Sequence, residues 1–64
     1  MKFNLANFLN GQKIIYNVSE EVYSYVNYHP ESGCFYLCNE TKNILRVAET
    51  EYLNENFTML EGNK

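Results

Sequence analysis

His29, Cys34 and Cys38 are the residues of this chain best suited to nucleophilic or metal chemistry, and all lie in the short stretch "HPESGCFYLC". A cysteine nucleophile needs an imidazole close enough to take its proton. Here the only histidine sits directly before the only proline, in a sequence that reads as a turn, so a structural role outweighs a catalytic one. Zinc would need a fourth ligand and both sulfurs about 2.3 Å from one ion. Two cysteines four apart on an extended strand lie ~13 Å from each other. A disulfide needs Cα atoms within about 7 Å. The pair therefore reads as reduced thiols in small, buried side chains, with a bridge between two chains as the alternative.

The carboxylates offer little more. Glu20–Glu21 and Glu49/Glu51 are the closest pairs, and both fall in polar segments with no apolar pocket around them to raise a carboxyl pKa. There is no aspartate and no glycine-rich phosphate loop. The sequence thus predicts no catalytic residue, no metal site and no cofactor. It is not read as an enzyme.

The tyrosines are the sharper feature. Val22 to Cys38, "VYSYVNYHPESGCFYLC", carries Tyr23, Tyr25, Tyr28, Phe35 and Tyr36. Such rings can pack across strands, stack on bases beside a basic groove, or anchor a protein interface. Only Lys13, Lys42 and Arg46 stand near the predicted strands, and the chain carries a net charge of −3. Nucleic acid, whose binding depends on Lys and Arg displacing counterions, is therefore disfavoured. Tyr23, Tyr25, Phe35 and Tyr36 are the candidate protein interface. Core packing alone remains the other reading.

The elements that must position these residues follow from local pattern. Asn4 is an N-cap, Leu5, Phe8 and Leu9 form one apolar helical face, and Gly11 closes the helix, predicting it over about 4–10. Strands are predicted over about 12–18, 22–28, 34–39 and 43–49, with a further edge strand over about 56–60. "SEE", "HPESG" and "ETKN" are read as turns, and "TEYLNEN" as a polar connection. Strict alternation in the second strand puts Val22, Ser24, Val26 and Tyr28 on one face and Tyr23, Tyr25 and Asn27 on the other. The expected core is Leu5, Phe8, Leu9, Ile14, Tyr16, Val22, Val26, Leu37, Leu45 and Val47. The fold class is α+β, mostly β: a short N-terminal helix on a small twisted antiparallel sheet of four or five strands, a meander that can curl into a partial barrel.

Sixty-four residues allow one small domain, 1–64, with a marginal core. At 45% apolar the chain is expected to fold. No stretch has the form of a signal peptide, because Asn4, Asn7 and Asn10 interrupt the N-terminal apolar run. Nor does any approach the ~20 apolar residues of a membrane span. A cytoplasmic location is expected. Both faces of the second and fourth strands carry large apolar residues, which one short helix cannot cover. A second chain is the expected remedy, as a homodimer or a heteromeric protein partner.

The opening "FNLANFLNGQKI" resembles the start of a set of small phage and prophage proteins. In that set F-(D/N)-L, about three residues, L-x-G and a β-branched strand introduce a few hairpins. Phe3, Asn4, Leu5, Leu9, Gly11 and Ile14 carry the match, and "NFTML" resembles the terminal segment. Where those proteins turn through an R-D-G-like sequence, this chain has "NVSEE", Asn17 to Glu21. The resemblance implies a phage or prophage source and a fold, and it carries no catalytic residues across. With the tyrosines and the absence of catalytic groups, it points to a non-catalytic accessory protein that binds a host enzyme or defence component. A nucleic-acid-associated β module and a virion assembly factor are the alternatives. The ten asparagines, with Tyr, Phe, Ile, Lys and Glu, reflect AT-rich codons.

Overall fold

The computed structural model describes residues 2–60. In chain order the elements are α1 (Leu5–Leu9), β1 (Ile14–Tyr16), β2 (Val22–His29), β3 (Cys34–Asn39), β4 (Ile44–Glu49), α2 (Thr50–Asn56) and β5 (Phe57–Met59). The fold is α+β and mostly β. All five strands join one antiparallel sheet in the order β4-β3-β2-β1-β5.

Asn4 caps α1 as expected, its side-chain oxygen accepting the Asn7 amide at 3.0 Å. The four hairpin strands form a meander, and α2 then carries the chain across the sheet so that β5 lands beside β1. The sheet stays open, with β4 and β5 as its two edges. The partial barrel does not form.

α2 is the largest departure from the sequence reading, which expected a polar connection over Thr50–Asn56. Glu51 sits in its first turn, where a carboxylate favours the helix N-terminus. Leu53 is fully buried, and Thr50 and Asn56, three residues to either side of it, are half-buried with Tyr52. That three-residue spacing is the missed helical signal.

The three hairpin loops share one geometry. Each has four residues and ends on a residue in the left-handed region: Glu20 at φ 63°, Gly33 at φ 71° and Asn43 at φ 58°. In each, that last residue donates its amide to the carbonyl four positions back, on Tyr16, His29 and Asn39 respectively. Glycine takes this conformation freely and asparagine with little cost, whereas glutamate does not.

Residues of β2 alternate as expected only as far as Tyr25. A bulge lies between Tyr25 and Asn27, since Tyr25 is opposite Leu37 but Asn27 is opposite Tyr36. The extra residue, Val26, is exposed, and everything after it changes face. Tyr28 consequently lies on the same side as Tyr23 and Tyr25, with its ring 4.6 Å from Phe35.

Both helices pack on this one face. Phe8 of α1 is fully buried, its ring 5.3 Å from Tyr25 and 6.2 Å from Phe35. Phe3, Ile14, Tyr23, Phe35, Leu37, Ala48, Leu53 of α2, Phe57 and Met59 complete the core. Of the expected core residues, Phe8, Ile14 and Leu37 are buried, and Leu5, Tyr16 and Val22 are half-buried. Leu9, Val26, Leu45 and Val47 are instead exposed. Leu9 ends a helix that turns Phe8 inward, and Val26 is the bulge residue. Leu45 and Val47 lie on the sheet face that neither helix covers.

Candidate protein-binding face

Three rows of side chains make up that uncovered face. Register places Ser24, Cys38 and Leu45 side by side, then Asn27, Tyr36 and Val47, then His29, Cys34 and Glu49. Leu45 is 60% exposed and Val47 52%, while Tyr36 and the two cysteines are half-buried among them. The His29 ring lies on Tyr36 with centroids 4.3 Å apart. The result is an apolar strip centred on Tyr36, with β4 at its rim.

The four aromatic residues expected at an interface are separated by the sheet. Tyr23 and Phe35 are each only 4% exposed and belong to the core. Tyr25 is half-buried against Phe8 and Phe35. They do share a face, but it is the face under the helices. Tyr36 alone reaches the open side, because it alternates with Phe35 and Leu37 on β3. Leu45 and Val47, expected in the core, replace the other three as candidate contact residues. The signal for this lay in strand four, where an apolar residue stands on each side of Arg46.

Charge on this face is confined to its rim, on Glu49 of β4 and on Lys13 and Glu40. Lys13 lies at its margin, and its ammonium is 3.0 Å from Glu40. That contact holds the Glu40 carboxyl below the ordinary value of 4.5. Lys42 is paired on the other side of the sheet with Glu21, at 3.1 Å. Glu21 also accepts from Asn39 at 2.9 Å. The Lys42 ammonium is the main cause of a lowered Glu21 pKa.

Arg46 points under the helices. Its guanidinium lies 4.6 Å from the Tyr16 ring centre and donates to the Tyr52 hydroxyl at 3.0 Å. Nearby, Asn39 is the one buried polar residue among those described. Its side chain donates to Glu21 and to the Tyr23 hydroxyl, and accepts from the Thr41 and Lys42 amides. Every hydrogen-bonding site of that amide is used.

His29 and Cys34 are cross-strand partners, yet each is occupied separately. The imidazole stacks on Tyr36, and the Cys34 thiol donates to the Ser32 carbonyl at 3.6 Å. Cys38 directs its thiol at Asn39 and Asn43 oxygens. Among the described residues no three His, Cys, Asp or Glu converge on a point where a metal would sit. No helix among them is long and apolar enough to cross a membrane.

Fold and site together define a small α+β protein whose sheet is covered by helices on one side and open on the other. No protein-family model, curated protein or solved structure matches the chain.

Proposed function

We propose that this protein is a non-catalytic accessory protein of phage or prophage origin that acts by binding another protein through the open face of its sheet. The observation that carries the reading is the apolar strip of Tyr36, Leu45 and Val47, left uncovered while ten other apolar residues are packed to near-zero exposure. Tyr is favoured at interfaces because its ring is buried and its hydroxyl still finds a partner. The target is a host enzyme or defence component inside the host cell, inhibited by occlusion.

A nucleic-acid role has less support. Lys13, at the margin of the face, is paired with Glu40, and Arg46 is turned to the other side. A virion assembly role would use the same strip against a structural protein.

The test is capture of host proteins on a tagged bait, followed by titration with the purified target. Tyr36→Ser should abolish binding while the circular dichroism spectrum is kept. A salt-dependent shift of single-stranded nucleic acid, with no protein target, would replace this reading with the nucleic-acid one. Capture of a capsid or tail protein would favour assembly.

A further inference from the structure

β4 is an edge strand, and the ladder fixes which of its backbone groups are free. Glu40 donates its amide to the Val22 carbonyl, so the even-numbered residues of β3 bond toward β2. Phe35, Leu37 and Asn39 therefore bond toward β4, where their partners are Ala48, Arg46 and Ile44. The amides and carbonyls between them, on Leu45, Val47 and Glu49, point to the open edge. Two of the devices that protect such an edge are absent: β4 contains no proline, and no bulge breaks its register with β3. Its only basic residue, Arg46, lies on the helix-covered face over Tyr16.

We infer that two copies of this chain pair antiparallel through β4, on a two-fold axis at Val47, forming one continuous ten-stranded sheet. A foreign strand would have to be ordered on arrival, whereas a second copy brings its strand preformed. The twin strand also fits in only one way. Free edge groups lie on odd-numbered residues, so the axis must pass through one residue of Leu45 to Glu49. Centring on Ala48 or Glu49 would set Arg46 or Ala48 against Thr50 of the second copy, the first residue of α2, and cut the ladder short. Centring on Leu45 would pair Val47 with Asn43, a left-handed turn residue that cannot extend a ladder. Centring on Arg46 would set two guanidinium groups side by side, and like charges directly opposite are destabilising.

Centring on Val47 uses Leu45 to Glu49 in full and stops where α2 begins. Val47 meets Val47 of the second copy, and Arg46 meets the small Ala48. Leu45 lies opposite Glu49. Each Val47 exchanges both backbone hydrogen bonds with its twin. Each Glu49 amide reaches the other copy's Leu45 carbonyl. The Glu49 carbonyl is committed to the first turn of α2, for which Glu49 is the N-cap. On the open face the row becomes Asn27–Tyr36–Val47 followed by its mirror, so the strip doubles. The pairing stands whether or not that strip binds a target.

Sedimentation equilibrium at micromolar concentration tests the inference. The wild type should sediment at twice the 7.6 kDa chain mass. Val47→Lys, which places two ammonium groups on the axis, should sediment as the monomer. Leu45→Lys, which faces Glu49 of the second copy, should remain a dimer. A monomeric wild type would overturn the pairing, as would a dimeric Val47→Lys or loss of the dimer in both variants. A second measurement needs no variant. Hydrogen exchange in the wild type should slow at the Val47 and Glu49 amides as concentration rises, and stay fast at Leu45. Concentration-independent exchange at Val47 would also overturn it. A monomer that still captures a target through Tyr36 would overturn the pairing and leave the binding function standing.

Discussion

The hydroxyls of Tyr16 and Tyr52 lie 2.7 Å apart, joining β1 to α2 across 36 positions of sequence. Arg46 completes the group by donating to Tyr52 from above the Tyr16 ring. The hydrogen bond shared with Tyr16, in which the neutral Tyr52 hydroxyl can donate, holds the Tyr52 phenol above its ordinary 10.0. A pKa raised on folding contributes stability that is present below 10.0 and lost as pH rises through the folded value. Tyr16→Phe should therefore lower the Tyr52 pKa, read by ultraviolet absorbance against pH, reduce stability below pH 10 and flatten its decline on the alkaline side. Tyr52→Phe should lower the melting temperature more than Tyr16→Phe, because it also removes the acceptor of Arg46.

At the acidic end the sign reverses. Glu21 is held below 4.5 chiefly by its contact with Lys42 and then by Asn39, and Glu40 chiefly by Lys13. A depressed carboxyl contributes stability present above the unfolded pKa and lost as pH falls through the folded one. Unfolding midpoints should thus fall below pH 4.5 in the wild type. Glu21→Gln should flatten that part of the profile, checked by denaturant titrations across the acid range.

Asn39 is a stronger point of failure. Replacing it with alanine leaves the Tyr23 hydroxyl and two turn amides without their partner in a nearly closed site. The expected cost is about 2–4 kcal/mol. Urea denaturation should show the midpoint fall with an unchanged slope.

Glu20 is a site where the protein can be improved. It occupies the left-handed closing position that Gly33 and Asn43 occupy in the other two loops. Glu20→Gly should stabilise by roughly 0.5–1 kcal/mol by removing the side-chain penalty, net of the added freedom of the unfolded chain. Gly33→Ala should destabilise by a similar amount. Thermal melts of the two variants should move in opposite directions.

The two sheet faces should respond differently to truncation. Phe8→Ala, in the core, should cost about 3–5 kcal/mol. Leu45→Ser, on the open face, should stay within about 0.5 kcal/mol in the monomer. Equal losses would mean that the open face is packed.

Much of the architecture was legible because local signals act locally. Asn4 and Gly11 bracket a helix by capping chemistry, and Pro30 with Gly33 marks a turn that closes as expected. Where no such residue stands, the chain hides its geometry. "NVSEE" makes the same loop as "HPESG" with a glutamate in the glycine's place. The bulge at Val26 was not visible either, because an inserted residue leaves strict alternation intact on paper while reversing it in space. That single residue moves Tyr28 to the other face. The position of the site escapes the sequence for a related reason. Alternation shows that Tyr23 and Tyr25 share a side, but which side is covered depends on where α1 and α2 pack, and α2 is itself hidden in a polar stretch.

The order of the strands also has a kinetic consequence. β2, β3 and β4 pair through adjacent hairpins, so their contacts need only short loops to close and can form early. β5 pairs with β1 through Ile14 and Met59, Ile15 and Thr58, and Tyr16 and Phe57, partners separated by most of the chain. β1 is only three residues long and lies between β2 and β5, so it becomes secure only when the last strand arrives. The β1–β5 pairing is therefore expected to close after the hairpins, and a chain truncated before Phe57 would lack the strand and the buried residues Phe57 and Met59 that complete the core.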